Sequence, residues 1–169
     1  MTENSEGFLP VAGKNPRILI LGSFPGVISL EKHEYYGNKR NHFWKIMEEI
    51  TGIDSNMSYE KKTDMLKEKG IALWDVLMKC KREGSSDNSI KEVVPNDIES
   101  FLQNNPTIKC IVLNGKSGAG KWFKKTQKSL FEKYPDIEIL EMVSTSPANA
   151  LYSFNRKKEE WIYIKKWID

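Results

Sequence analysis

A chain of 169 residues, 39% of them hydrophobic, is long enough for one domain, residues 1–169, with a buried core, and this composition excludes a disordered protein. No apolar run approaches ~20 residues, so we expect no membrane-spanning helix, and the polar first 13 residues lack the apolar stretch of a secretory signal. The two isolated cysteines, Cys80 and Cys110, argue against a disulfide framework or a zinc cluster. A formal charge of +3 leaves a nucleic-acid partner undecided.

Strand-length apolar runs alternate with helix-length amphipathic segments along the chain. In chain order the patterns predict a strand at residues 17–23, helices at 41–50 and 58–69, a strand at 71–77, a helix capped by Asn96 with Glu99 three residues on, a strand at 107–113, a long basic helix to about Tyr134, a strand at 138–143, and a final helix that buries Trp161, Ile164, Trp167 and Ile168. Strands separated by helices favour an α/β fold with a mainly parallel four-stranded sheet covered on both faces.

Ligands of open parallel sheets bind at the carboxyl ends of the strands. That rule selects four loops, at residues 22–41, 75–89, 114–120 and 144–155. In the first loop, Gly22, Pro25 and Gly26 predict a tight turn whose backbone amides approach a ligand closely. Tyr36 follows in the same loop. Asn41 opens the next helix, where it either caps the helix or faces the ligand.

The loop after the last strand carries consecutive hydroxyls before a proline. Its residues are Ser144, Thr145, Ser146, Pro147, Ala148 and Asn149. The segment is either an ordinary turn or a loop that binds DNA phosphates, with Ala148 and Asn149 at a tip that could enter a duplex. The basic run at 156–158 follows, and we interpret it either as a solvated helix face or as a surface that tracks phosphates.

The third loop, GKSGAGK at 115–121, matches the beginning of a P-loop after a strand. The next residue is Trp122, so the hydroxyl that should hold magnesium is missing. A glycine-rich turn that opens a basic helix is the favoured interpretation, and Lys116 and Ser117 in it could receive a DNA phosphate.

Six segments, taken together and in order, resemble the uracil-DNA glycosylase superfamily, and most closely its hypoxanthine-DNA (deoxyinosine) glycosylase branch. They are GSFPG at 22–26, YYGNKRNHFW at 35–44, KGIALWDVL at 69–77, REGSSDNSI at 82–90, LNG at 113–115 and STSPAN at 144–149. The resemblance implies a three-layer α/β/α sandwich with a central four-stranded mainly parallel sheet. It also implies a monofunctional enzyme of base excision repair that flips a deaminated base out of DNA and hydrolyses its N-glycosidic bond.

The resemblance assigns roles to individual residues. It implies that Asn41 positions the attacking water, that Tyr36 stacks on the flipped base, and that Asp75 or Asn114 reads the base. The remaining candidates are Gly22, Pro25 and Gly26 for base binding, the backbone amides of Ser23, Phe24 and Gly26 for charge stabilisation, and Ser144, Thr145, Ser146, Pro147, Ala148, Asn149, Lys116 and Ser117 for DNA binding.

Two positions depart from related families. Phe24 stands where mismatch-type uracil glycosylases carry a water-positioning Asn, which argues against uracil chemistry of that type. Ser144 stands where classical uracil enzymes carry a His, so leaving-group stabilisation by that His is not available.

Three alternative functions stay open, the first suggested by these departures and the second by the GKSGAGK segment. The chain could bind damaged DNA without cutting it, act as a P-loop phosphotransferase, or hydrolyse free nucleosides. For the leading hypothesis, we expect a cytoplasmic, nucleoid-associated monomer without metal or other cofactor. Its partner would be double-stranded or single-stranded DNA that contains hypoxanthine, uracil or xanthine.

Overall fold

The computed structural model describes residues 3–168, and within that range it describes side chains from residue 5 onward. In chain order its elements are β1 (Glu3–Glu6), β2 (Ile18–Gly22), α1 (Val27–Lys32), α2 (Phe43–Thr51), α3 (Tyr59–Glu68), β3 (Ile71–Asp75), β4 (Leu77–Arg82), β5 (Lys91–Pro95), α4 (Ile98–Asn104), β6 (Cys110–Asn114), α5 (Lys121–Thr126), α6 (Leu130–Lys133), β7 (Glu138–Met142) and α7 (Phe154–Trp161). Short 3₁₀ turns lie at Asp87–Ser89 and Ile162–Trp167, and a π-helical turn, Gly115–Gly120, joins β6 to α5.

Four parallel strands in the order β3-β2-β6-β7 form the central sheet, which confirms the predicted α/β fold. Successive side chains of a strand point to opposite faces. Accordingly, Ile18 and Ile20 of β2 pack into one core with helices α2, α3 and α7. Leu19 and Leu21 pack into a second core with α4, α5 and α6. The layers are those of an α/β/α sandwich, and the apolar run of β2 follows from burial on both faces.

A second sheet was not predicted. β4 pairs antiparallel with both β1 and β5, in the order β1-β4-β5. The strand predicted at 71–77 therefore extends too far, because β3 ends at Asp75 and a separate strand, β4, begins at Leu77. Val76 lies between them, and its amide donates to the Gly22 carbonyl at 2.8 Å. The alternation of lysines with apolar residues in β4 is typical of a strand with one solvent-facing side.

Two helix predictions need correction. Asp97, not Asn96, caps α4, because its carboxylate accepts a hydrogen bond from the Ser100 amide at 3.1 Å. Asn96 is buried instead and donates to the Asp75 carbonyl at 2.8 Å. The long basic helix is broken into α5 and α6, because the chain leaves helical geometry at Gln127, whose buried side chain donates to the Asn96 carbonyl at 3.0 Å.

The final segment agrees with its prediction in burial. Trp161 and Ile164 are buried, and Trp167 and Ile168 pack partly buried against the same core. Over residues 3–168, the longest apolar helical stretch falls short of what a bilayer crossing requires.

Candidate active site

A cavity of about 1150 Å³ opens at the carboxyl ends of the parallel strands. All four loops selected from the sequence contribute to its wall. The predicted residues that line it are Gly22, Ser23, Phe24, Pro25, Gly26, Tyr36, Asn41, Asp75, Asn114, Lys116, Ser117, Ser144, Thr145, Ser146, Pro147, Ala148 and Asn149. Residues that are far apart in the chain therefore meet around one space, as the order of the strands requires.

Asp75 lies at the end of β3, in register with Gly22 of β2. Its side chain is only 5% exposed, and Oδ2 has no hydrogen-bond partner among the described residues. Burial, reinforced by the charge of Asp87 and opposed by Arg82, raises the pKa of Asp75 to about 7. Near neutral pH this carboxyl group is thus present in both protonated and ionised forms.

Gly22 makes room for that carboxyl group. A Cβ at this position would lie 2.5 Å from Asp75 Oδ1 and 3.6 Å from the Tyr36 hydroxyl. Any side chain would therefore displace the carboxyl group from the cavity. The sequence analysis explained Gly22 by a tight turn, whereas the structure requires a glycine here because the Asp75 and Tyr36 side chains approach its backbone closely.

Tyr36 has a left-handed backbone, with φ of 56°. Its ring stacks on Phe43, with centroids 3.9 Å apart and an interplanar angle of 3°. One face of the ring is thus covered, and a base could stack only on the other. Burial and the nearby Asp75 raise the pKa of the Tyr36 hydroxyl, so it remains protonated.

Asn114 connects Tyr36 to the last loop. Its Nδ2 donates to the Tyr36 hydroxyl at 3.3 Å and to Thr145 Oγ1 at 3.0 Å, while its Oδ1 accepts from the Thr145 amide at 3.0 Å. Both N–H groups of the carboxamide are engaged within the protein. Of the two candidate readers, Asp75 therefore has the unpartnered atom and Asn114 does not.

Asn41 directly precedes His42, the N-cap residue of α2, and it lines the cavity. Its Oδ1 accepts a hydrogen bond from the Phe43 amide at 2.9 Å, at the start of α2, while the residue also lines the cavity. The neighbouring His42 amide donates to the Thr145 carbonyl at 3.0 Å, which joins this segment to the last loop. The carboxamide is anchored by one bond and still has donors and a lone pair to offer a ligand.

The first turn is supported by residues to which the sequence analysis assigned no role. Ser23 Oγ donates to Asp87 Oδ1 at 2.7 Å. The buried Arg82 guanidinium donates to the Pro25 carbonyl and packs 5.3 Å from the Phe24 ring centroid. Phe24 belongs to the second core, so its ring fills the interior beneath the turn. The segment at 82–90 was one of the six that resemble the family, but its sequence did not indicate that Arg82 bonds to Pro25 or that Asp87 bonds to Ser23.

The last loop is held in shape by its own hydrogen bonds. The Ser146 amide donates to Ser144 Oγ at 3.1 Å, the Ala148 amide to Ser146 Oγ at 3.2 Å, and Asn149 Nδ2 to the Ser144 carbonyl at 3.2 Å. Beyond this loop Leu151 is 93% exposed. The predicted tip at Ala148 and Asn149 thus has a large apolar neighbour that the sequence analysis overlooked.

Lys157 corrects a further interpretation. The basic run at 156–158 was assigned to a solvated or phosphate-tracking surface, whereas the Lys157 side chain is 1% exposed. Its Nζ donates to the Ser146 carbonyl at 3.2 Å and lies 3.3 Å from His42 Nδ1. The sequence could not distinguish this buried lysine from the exposed Arg156 and the half-buried Lys158 on either side of it.

The glycine-rich third loop forms the π-helical turn after β6, with Lys116 and Ser117 exposed at the cavity mouth. Its Gly118 packs against Asp87 so closely that a Cβ would overlap the carboxylate. Within residues 3–168, His, Cys, Asp and Glu side chains form no group of three that could bind a metal ion. The loop supplies a rim to the cavity, and its glycines allow close packing against Asp87, Ser144 and Glu141.

The carboxyl edge of the parallel sheet thus carries a pocket with a carboxyl group, carboxamides and a tyrosine in its wall and with hydroxyls and a lysine at its mouth. This arrangement fits the class of α/β glycosylases. The chain belongs to the uracil DNA glycosylase superfamily, whose family model matches residues 10–167.

Similar proteins include a hypoxanthine DNA glycosylase of Methanosarcina acetivorans, 37% identical over 154 residues that cover 90% of this chain and 93% of that protein. A hypoxanthine DNA glycosylase of Methanosarcina barkeri is 41% identical over 112 residues, covering 66% of this chain and 71% of the other. A solution NMR structure from Methanosarcina acetivorans, of a protein proposed to be a uracil DNA glycosylase, superposes with a TM-score of 0.82 at 34% identity and covers 97% of this chain and 98% of that one.

Proposed function

We propose that this DNA glycosylase removes hypoxanthine from DNA, hydrolysing the N-glycosidic bond of a flipped deoxyinosine in the cavity. The observation that carries the proposal is the buried carboxyl group of Asp75, whose Oδ2 is unpartnered among the described residues and which shares the cavity with Asn41 and Tyr36. A buried polar atom without a partner costs free energy, and a ligand that supplies the missing bond recovers it.

The lactam edge of hypoxanthine fits this carboxyl group. Hypoxanthine presents an N1–H donor beside an O6 acceptor. A protonated carboxyl group offers an acceptor and a donor side by side, and its pKa of about 7 keeps that form populated near neutral pH. The neutral form also avoids placing a negative charge near a base that becomes negative as it leaves. Uracil and xanthine carry similar lactam edges, so they are the natural competitors.

Hydrolysis needs a positioned water and a stabilised leaving base. As the C1′–N9 bond breaks, its electron pair goes to the base, and the sugar becomes oxocarbenium-like. The Asn41 carboxamide orients the water that adds to C1′, and the water's proton is lost to solvent while the base is reprotonated. Backbone amides of Ser23, Phe24 and Gly26 stabilise the departing base as preorganised donors. With no strong base in this set, turnover is expected to be modest.

DNA is positioned by the rim of the cavity. The hydroxyls and amides of residues 144–149, together with Lys116 and Ser117, contact phosphates on either side of the flipped nucleotide. Leu151, which is 93% exposed and follows Asn149 by two positions, enters the space that the base leaves, since apolar side chains stabilise unstacked steps in this way. We also propose that the enzyme acts as a monomer.

A monofunctional reaction follows from the lysines. A glycosylase that also cleaves the strand uses an amine nucleophile within reach of C1′. Among residues 3–168, Lys116 alone of the lysines lines the cavity, and it is exposed at the mouth. Lys157 is buried, but it points to His42 and Ser146.

A lesion panel tests the proposal. Duplexes with a single hypoxanthine, uracil or xanthine are incubated with the protein in chelator, and abasic sites are then exposed with alkali. Cleavage at hypoxanthine that appears only after alkali is the expected result. Binding without cleavage would make the chain a damage-binding protein, and activity on free deoxyinosine but not on DNA would make it a nucleoside hydrolase.

A further inference from the structure

The side chain of Lys157 on α7 is 1% exposed, although the residues on either side of it are charged. Its Nζ donates to the Ser146 carbonyl at 3.2 Å and lies 3.3 Å from His42 Nδ1. An ammonium group has donors only, so Nδ1 accepts and His42 carries its proton on Nε2. Burial, then the charges of Lys157 and Lys45, lower the pKa of His42, in keeping with a neutral ring.

Three separate segments meet at this contact. His42 is next to Asn41, and its amide donates to the Thr145 carbonyl at 3.0 Å. The His42 ring also packs against Phe154 of α7, with centroids 5.4 Å apart. On the opposite side, Asn114 holds the amide and hydroxyl of Thr145. Hydrogen bonds therefore hold loop 144–149 from two sides, from Lys157 and the His42 amide on one side and from Asn114 on the other.

We infer that Lys157 and His42 form a buried latch that fixes loop 144–149 against the segment that carries Asn41. The inference rests on the proposed glycosylase reaction, in which both residues act as positioning residues. Neither Lys157 nor His42 lines the cavity among the described residues, so their effect reaches the substrate through Asn41 and the loop. Burying an ammonium group is costly, whereas fixing the loop before DNA arrives removes an ordering cost from binding and catalysis.

Amide hydrogen exchange tests the latch without reference to activity. In Lys157→Met, the His42 amide, which bonds to Thr145, and the Asn149 amide, which bonds to the Ser146 carbonyl at 3.0 Å, should exchange at least tenfold faster than in the wild type. Lys165→Met removes an exposed lysine of the following 3₁₀ turn and is the matched control. Unchanged exchange of both amides in Lys157→Met would overturn the inference.

A pair of His42 variants tests the contact even where Lys157→Met does not fold. Asn places an acceptor near the position of Nδ1, whereas Leu removes it. Single-turnover cleavage of a hypoxanthine duplex should be at least tenfold slower in His42→Leu than in His42→Asn. The Kd for a non-cleavable 2′-fluoro duplex should rise in His42→Leu by a smaller factor, because the freed loop must then be ordered when DNA binds. Lys157→Arg should recover part of the rate lost in Lys157→Met.

Equal rates for the two His42 variants would refute the latch, as would losses in His42→Leu and Lys157→Met that multiply in the double variant. A wild-type protein that does not cut hypoxanthine would end the proposed function alone, since the exchange experiment would still decide whether the latch exists.

Discussion

Asn114 and Thr145 hold each other by two hydrogen bonds of 3.0 Å: the Thr145 amide donates to Asn114 Oδ1, and Asn114 Nδ2 donates to Thr145 Oγ1. The last residue of β6 thereby fixes the first part of the loop that follows β7. A candidate base reader thus also connects the carboxyl end of β6 to the loop at the rim of the pocket.

Asn114→Ala should destabilise the protein as well as slow it. Thr145 is 1% exposed, so the variant leaves its amide buried without a partner, which costs about 1–3 kcal/mol. Urea unfolding measures this loss. Ser117→Ala at the exposed rim is the control, and an equal loss of stability in both variants would contradict the assigned role.

Asn41→Ser separates the two roles of Asn41. Serine can still accept the hydrogen bond from the Phe43 amide at the start of α2, but it lacks the carboxamide that orients water. We expect cleavage of hypoxanthine to fall by about 10²–10³-fold, with unfolding and duplex affinity nearly unchanged. Cleavage at the wild-type rate in single-turnover experiments would remove Asn41 from the mechanism.

The pKa of Asp75 predicts how stability depends on pH. In the folded protein it is about 7, whereas an unfolded Asp titrates near ~3.9. Between these two pKa values the folded state binds a proton that the unfolded state has lost. The free energy of unfolding contributed by this group is therefore fully present below about pH 4 and is lost as the pH rises through about 7. Asp75→Asn should therefore gain stability relative to the wild type over this interval. A constant difference in unfolding free energy from pH 4 to 8 would contradict the shift.

The same group predicts a pH dependence of cleavage. If the neutral carboxyl group binds the lactam edge, the wild-type rate on hypoxanthine should decline as the pH rises through about 7. Asp75→Asn should lack that titration and change the preference among hypoxanthine, uracil and xanthine more than it changes affinity for undamaged duplex. An unaltered preference and the same decline in the variant would exclude Asp75 as the reader.

Leu151→Ala should slow cleavage by roughly tenfold in duplex DNA, because a smaller side chain stabilises the unstacked step less well. The effect should be weaker on single-stranded substrate, where no stack has to open. Leu9→Ala is the matched control, since Leu9 is 85% exposed and lies outside the loops that form the cavity. Equal rates for the two variants on duplex would leave Leu151 without a role in flipping.

The sequence predicted the parallel sheet well because its signal is local. A continuous apolar run such as β2 must be buried on both faces, and the strand order then brings the four loops together. The latch and the Asn114 bridge were not predictable in this way. Lys157 and His42 are 115 positions apart, and only folding shows that this lysine, unlike Lys158 beside it, points inward. The second sheet was not predicted for a related reason. Lysines alternate with apolar residues along β4, so it lacks a continuous apolar run, and no turn motif separates it from β3.

Gly22 and Asp75 also constrain how this pocket can evolve. Their strands are paired in register, and a Cβ on residue 22 would come within 2.5 Å of the carboxyl oxygen. A residue larger than glycine at position 22 is therefore tolerated only together with a residue shorter than aspartate at position 75. Diversification that enlarges residue 22 should accordingly proceed through paired exchanges at these two sites, whereas an isosteric change at 75 alone keeps the packing intact.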